Sequence, residues 1–324
     1  MRIVIVGAVQ SAEKALCKLI EHKMNVVGVF GFQAASTAHV SGYVDLEVLS
    51  AEAGIPFFPF ASINQHADQL AGLKPDYLFV VGLSQLLKRD LLFIPTQCSI
   101  GFHPTKLPQG RGRAPLAWML LESASEGAAT FFRMTEGADE GEILAQSCYT
   151  ISGSDNVSSL TDKVLLAMSQ ALDKLLPEIK SNSVSYTVQD NSKATYYGKR
   201  APEDGCIDWA VSASSIDRLV RATSAPYPGA YTYGSDVKII INKSEATTSS
   251  TKGVVGRILD ICEKGFSVQC GDGVLRVIEY HSVEGWAPIV GQRLGVKVED
   301  ELVSIKKRIT KLESMLDSGK FNAL

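Results

Sequence analysis

Residues 2–7 form a continuous apolar, largely β-branched run. Behind it Ala15, Leu16, Leu19 and Ile20 recur at helical spacing, with Ser11 standing where an N-cap belongs. A buried strand followed by an amphipathic helix is predicted there, and the pattern repeats. Residues 25–30 read as strand, 46–53 as a short helix closed by Gly54, 56–60 as strand, 63–70 as helix, 75–81 as strand and 83–92 as helix. A further apolar run, Ser99, Ile100, Gly101 and Phe102, ends on His103. A helix over 114–122 and strands over 128–134 and 144–151 come next. Strands alternating with helices at this spacing predict an α/β fold with a doubly wound, mostly parallel sheet and right-handed crossovers.

The second half changes character. Asp155 or Asn156 caps a long helix whose apolar side carries Val157, Leu160, Val164, Leu165, Met168, Leu172, Leu175 and Leu176. Residues 181–193 are rich in Ser and Asn and have the composition of a linker or an exposed hairpin. Short apolar runs and Gly-rich turns over 207–291 predict a small β-barrel with one helix at 214–223. From Val298, Leu302, Ile305, Ile309, Leu312 and Leu316 are spaced alternately by three and four, which predicts a helical tail. That seam either packs on its own barrel or joins two copies into a homodimer. The expected divisions are residues 1–190, 191–292 and 293–324.

Composition narrows the function classes. A chain of 324 residues with 45% hydrophobic and 21% charged residues can bury more than one core. A formal charge of −3 gives no general pull toward nucleic acid or acidic membranes. The cysteines (Cys17, Cys98, Cys148, Cys206, Cys262 and Cys270) lie far apart without a CxxC pair, so neither a metal site nor a disulfide framework is indicated and a reduced, cytoplasmic setting is expected. The opening run is followed by neither a cleavage site nor a membrane-length apolar stretch. After the first strand, Gly7 is not followed by the second and third glycines of a dinucleotide fingerprint, and no phosphate-gripping or nucleophile-elbow motif occurs.

Candidate chemistry concentrates in two stretches. His103 is delivered by a strand into a loop rich in Pro, Gly and Arg, the way an open α/β sheet presents a reactive group at the carboxyl edge of its strands. The loop over 135–142 carries Glu136, Asp139, Glu140 and Glu142, and crowding of like charges raises the pKa of whichever carboxylate faces inward. A buried Asp beside an imidazole fixes its tautomer and stabilises its cation.

His103-Pro-Thr-Lys-Leu-Pro, then Arg-Gly-Arg-Ala-Pro, then Gly-Ala-Asp-Glu-Gly-Glu-Ile together resemble the formyltransferase family that uses 10-formyltetrahydrofolate. That family includes methionyl-tRNA formyltransferase and the sugar N-formyltransferases. The resemblance implies a Rossmann-like catalytic domain, with His103 and Asp139 as catalytic residues and Gly141 as the glycine that follows the aspartate. Thr105 and Lys106 depart from the family's serine and leucine, and Gly101 stands where the family has an asparagine that donates to the oxyanion. By the same resemblance Gly82, Leu83, Ser84, Gln85, Leu86 and Leu87 hold the pterin on one side, and Glu136, Gly137, Ala138 and Glu140 on the other. Residues 199–209, 220–232 and 253–278 are similar to the small C-terminal domain of the family.

The implied reaction is attack of an amine on the formyl carbon, with His103 donating to the oxyanion and Asp139 orienting it and accepting the proton, without a metal. Residues 33–45 lack the Lys and Arg expected of a tRNA-reading insertion, and residues 111–118 look closer to the sugar enzymes. The implied acceptor is therefore a nucleotide-linked amino sugar, as in surface polysaccharide synthesis. Thr105, Lys106, Arg111, Gly112 and Arg113 are its expected binding residues, the two arginines pairing with its diphosphate or else bonding loop carbonyls. Formylation of an amino acid such as ornithine or of methionyl-tRNA, and a catalytically dead binding module, are the alternatives.

Overall fold

A computed structural model describes residues 1–33, 40–263, 265–282, 285–295 and 298–317. Residues 34–39 of the stretch free of Lys and Arg, and the end of the tail over 318–324, lie outside them. β1 (Arg2–Gly7), β2 (Asn25–Phe32), β3 (Phe57–Phe60), β4 (Tyr77–Val81) and β5 (Cys98–His103) pair in parallel, and β7 (Glu126–Arg133) and β8 (Ile143–Thr150) extend the sheet antiparallel. The order is β3-β2-β1-β4-β5-β7-β8. Chain order reverses beside β1, which is where an open sheet of this kind forms a crevice beyond its carboxyl ends.

The apolar runs explain the layers. β1 and β4 are buried on both faces, as continuous runs require. One face packs on α1 (Gln10–Glu21), α5 (Pro115–Leu121) and α6 (Val157–Ser181), with Leu16, Leu19, Leu160, Met168, Leu172 and Leu176 closed to solvent. α6 starts on a capping box in which Asn156 accepts from Ser159 N–H and Ser159 Oγ accepts from Asn156 N–H. The other face packs on Ile63, Leu70 and Leu91, contributed by α3 (Ala67–Gly72), the turn before it and α4 (Arg89–Leu92), whereas Leu46 and Leu49 at α2 (Glu47–Glu52) join the core of the first face.

Three expectations change. Ser11 does not cap α1, which begins at Gln10 behind an uncapped Val9. Residues 83–88 are not helical: Gln85 accepts from Ile63 N–H at 3.0 Å and donates to Ala61 O at 2.8 Å, and Asn64 donates to Leu86 O and accepts from Lys88 N–H. Those side-chain bonds fix the segment to the β3–α3 connection and leave only residues 89–92 as helix. Residues 181–193 are no free linker, since Thr187 and Ile143 exchange two backbone hydrogen bonds of 2.8 Å and Gln189 is buried.

The contacts divide the chain into Met1–Asp204 with Arg221–Pro228, and Gly205–Val220 with Gly229–Leu324. The two-residue strands β6 (Arg111–Gly112) and β9 (Tyr196–Tyr197) pair in parallel within the first unit. The second unit contains the start of α7 (Ala213–Thr223) and an antiparallel sheet of β10 (Ala230–Gly234), β11 (Val237–Thr247), β14 (Val274–Ser282), β13 (Gly265–Gln269) and β12 (Ile258–Cys262), in that order. Single bridges from Gly234 to Leu294 and from Arg257 to Arg293 link the region of its two edges. Trp209 is buried in that core and donates to Thr232 Oγ1 at 2.9 Å. α8 (Val298–Asp317) keeps its seam exposed, so packing on its own barrel is not what this structure shows. Among the described residues no helix is long and apolar enough to cross a membrane.

Candidate functional site

β5 ends at the carboxyl edge of the sheet and places His103 there, 6% exposed and paired across the ladder with Thr130. Its ring is held from both sides. Nε2 lies 2.7 Å from Gly110 O, and a carbonyl only accepts, so Nε2 carries a proton. Nδ1 faces Asp139 Oδ2 at 3.6 Å. The neutral ring therefore presents a bare Nδ1 to the carboxylate, and the ring donates from that edge only as the imidazolium. The oxyanion-donor role expected of His103 requires that charged form.

Asp139 comes from the β7–β8 loop with φ of 56°, and its Oδ2 accepts from Gly112 N–H at 2.8 Å. Gly112 makes this possible: its φ is 103°, and a Cβ there would stand 2.4 Å from Tyr197 O. The other acidic residues of the loop turn elsewhere. Glu136 pairs with Arg89 at 2.7 Å, Glu142 with Arg133 at 3.6 Å, and Glu140 reaches Thr135 Oγ1 at 3.4 Å. Like-charge crowding is thus not the arrangement that the fold builds around Asp139.

Two residues before His103, on the same face of β5, Gly101 is paired with Phe132. A Cβ added there would meet Phe132 Cζ at 2.6 Å, Cε1 at 2.9 Å and Met134 Cγ at 3.0 Å. The place of the implied asparagine is therefore occupied by a phenyl ring and a thioether rather than open for another donor.

Arg111 reverses an expectation. It is 1% exposed, donating from Nε (3.2 Å) and Nη2 (2.8 Å) to Gln189 Oε1, from Nη2 to Asn191 Oδ1 (2.7 Å) and from Nη1 to the Tyr196 hydroxyl (2.9 Å). A guanidinium so enclosed is not placed to meet a diphosphate, and its acceptors are side chains rather than the loop carbonyls expected as the alternative. Gln189 passes that fixation on, donating to Asp139 O at 2.9 Å and Gly141 O at 2.6 Å. Sequence reading missed Gln189, Asn191 and Tyr196, because an irregular polar stretch carries no periodicity that would mark a buried amide.

The remaining expected residues fall into two groups. Thr105 is buried and donates to Gln109 O at 2.8 Å, so it shapes the loop. Lys106 is exposed enough to pair with Glu126 at 2.6 Å, which raises its pKa. Arg113 has an exposed side chain without a charged partner among the described residues. Gly82, Leu83, Ser84, Gln85, Leu86 and Leu87 form the irregular segment described above, and the Arg89–Glu136 ion pair ties it to the loop of Glu136, Gly137, Ala138 and Glu140. Among the described residues the backbone N–H groups of 83–87 make no hydrogen bond, and Leu86 is 85% exposed. Unused donors beside an exposed leucine suit a flat polar heterocycle. A cavity of about 480 Å³ lies behind the same loop, lined by Phe93, Met134, Thr135, Glu140, Gly141 and Gln189 among others.

Residues 1–176 match the family model described as formyl transferase, and residues 199–286 match formyl transferase, C-terminal domain. The chain belongs to the formyl transferase family. Among solved structures, this formyl transferase is similar to HypX from Aquifex aeolicus in complex with tetrahydrofolic acid (17% identity, TM-score 0.63, 87% of this chain and 44% of that one). It thus spans less than half of the HypX chain. It is also similar to an N-formyltransferase from Helicobacter canadensis in complex with folinic acid and dTDP-3-aminofucose (16%, TM-score 0.61, 86% and 99%). Methionyl-tRNA formyltransferase from Clostridium thermocellum is a third (16%, TM-score 0.54, 79% and 96%). At these identities the likeness concerns the fold.

Proposed function

We propose that this formyl transferase moves a formyl group from 10-formyltetrahydrofolate to the amine of a nucleotide-linked amino sugar. The observation that carries the reading is the His103–Asp139 pair at the carboxyl edge of the sheet, with the carboxylate anchored by Gly112 and the ring by Gly110. The formyl donor supplies an electrophilic carbon. Residues 83–87 would hold its ring through their unused N–H groups, opposite the 136–140 loop. Attack by the amine on the formyl carbon leaves one proton on that nitrogen, which Asp139 Oδ2 would take directly or through water; collapse of the intermediate then breaks the bond to the tetrahydrofolate nitrogen, which leaves carrying that proton. With Nε2 turned to Gly110 O, His103 would serve the developing oxyanion only through a proton on Nδ1. A small acceptor with a diphosphate is supported by the exposed Arg113 beside this loop and by the Helicobacter canadensis relative.

The packed Gly101 position favours a second reading, in which the folate binds and turnover is slow or absent. A formyl-transfer assay across dTDP-, UDP- and GDP-linked amino sugars, with ornithine and methionyl-tRNA as further acceptors, separates the readings. Turnover of one sugar nucleotide that falls about 10²–10⁴-fold in Asp139→Ala and in His103→Ala is expected. Turnover of ornithine or tRNA alone overturns the acceptor, and silence with intact folate binding gives the second reading.

A further inference from the structure

Three arginines stand on the two segments that meet at Gly112, and the fold treats them differently. Arg111 directs its donors to Gln189, Asn191 and Tyr196 and is closed to solvent. Arg113 is exposed, and among the described residues its side chain has neither a hydrogen bond nor an ion pair. Arg200 is half-buried and makes one hydrogen bond, from Nη2 to Asp204 O at 3.0 Å, again without an ion pair among the described residues. Its Cζ lies over the Trp118 ring, 5.2 Å from the centroid. A ring face attracts the charge without accepting in place of an oxygen, so Arg200 is held while its other N–H donors stay open.

Both open guanidinium groups start from one footing. Arg113 N–H donates to Tyr197 O at 3.0 Å, and Arg200 follows Tyr197 in the same segment. The Tyr197 and Trp118 rings stack with centroids 6.0 Å apart and planes at 13°. Trp118 Nε1 donates to Gly198 O at 2.9 Å, and the Tyr197 hydroxyl donates to Glu122 at 2.8 Å. Tyr197 in turn abuts Gly110, where a Cβ would stand 2.8 Å from its Cε2. Gly110 holds His103 and Gly112 holds Asp139, so the stacked rings carry Arg200 out from the loop that fixes the reacting pair. Two guanidinium forks on one footing, beside that carboxylate, suit an anion with two linked phosphates, one for each fork.

We propose that Arg113 and Arg200 together grip the diphosphate of the acceptor, with Trp118 as the positioning residue for Arg200. The inference rests on the acceptor reading above and adds the second arginine that Arg111 cannot supply. Calorimetric titration of the intact chain with dTDP, UDP and GDP, each against its monophosphate, reads the site without turnover. One diphosphate should bind about tenfold or more tightly than its monophosphate, because a second charge-assisted contact is made. Arg113→Ala and Arg200→Ala should each bring it down to near the affinity of the monophosphate, with Arg200→Lys in between and the circular dichroism spectrum unchanged. Trp118→Leu should weaken the diphosphate about threefold to tenfold, and far less in a chain already carrying Arg200→Ala, a coupling that a merely structural tryptophan does not give. A diphosphate held no better than its monophosphate, or an Arg200→Ala chain that binds it within twofold of the parent, overturns the proposal. Equal losses from Trp118→Leu with and without Arg200→Ala overturn the positioning role. The acceptor reading fails by a different result, turnover of ornithine or tRNA alone.

Discussion

Replacing Gln189 by leucine tests the account of the site most directly, because one side chain links the buried guanidinium to the aspartate loop. The change keeps the bulk and removes four hydrogen bonds: two accepted from Arg111, and two donated to Asp139 O and Gly141 O. Arg111 is a cation at 1% exposure and cannot recover them from solvent. A hydrogen bond to a charged group is worth about 1.5–3 kcal/mol, and an unsatisfied buried carbonyl costs about 1–3 kcal/mol. With partial relaxation the expected loss is roughly 3–5 kcal/mol of the first unit's stability, read by urea unfolding. In turnover, kcat should fall at least tenfold, because the Asp139 backbone loses its anchor. Gln189→Glu should retain much of the stability by pairing with Arg111 yet keep the kcat defect, since a carboxylate donates nothing to Asp139 O. A loss below about 1 kcal/mol for Gln189→Leu, with normal kcat, would refute the reasoning.

Gly101→Asn should destabilise by roughly 1–3 kcal/mol through overpacking, measured as a fall in Tm, and Phe132→Leu in the same chain should recover part of it. Asp155 yields a pH prediction. Burial alone raises its carboxyl, but Lys163 at 2.5 Å and hydrogen bonds from Ser152 and Ser159 outweigh that and hold it down at about 2 against an ordinary 3.8. A folded pKa below the unfolded one stabilises above the unfolded value, so roughly 2 kcal/mol is present above about pH 4 and lost as pH falls toward 2. Acid unfolding of Asp155→Asn should lack that part of the slope. Burial pushes the thiols of Cys98 and Cys270 up to about 11, so a thiol reagent at pH 8 should leave both unlabelled in the folded chain and label them in denaturant.

The sheet was legible in the residues alone. Continuous apolar runs such as 2–7 and 77–81 exclude water on both faces, helical stripes such as that of α6 must cover them, and the alternation of the two leaves a doubly wound sheet as the arrangement that buries both. The edge position of His103 was legible for the same reason, because a strand that stops at an ionisable residue before a broken loop stops at the sheet's rim. The exposed heptad of α8 was legible as a seam. What the polar residues do depends on the neighbours that folding brings to them. Arg111 and Arg113 are two residues apart and alike in sequence, yet one is enclosed by Gln189, Asn191 and Tyr196 while the other faces solvent. Nothing local distinguishes them, because the enclosing residues arrive from about 80 positions away. The same holds for the proton on His103 Nε2, set by the Gly110 carbonyl, and for Gly101, whose missing side chain is answered by Phe132 on the neighbouring strand. Burial periodicity is a property of the chain, whereas the partner of a buried polar atom is a property of the three-dimensional neighbourhood that closes around it.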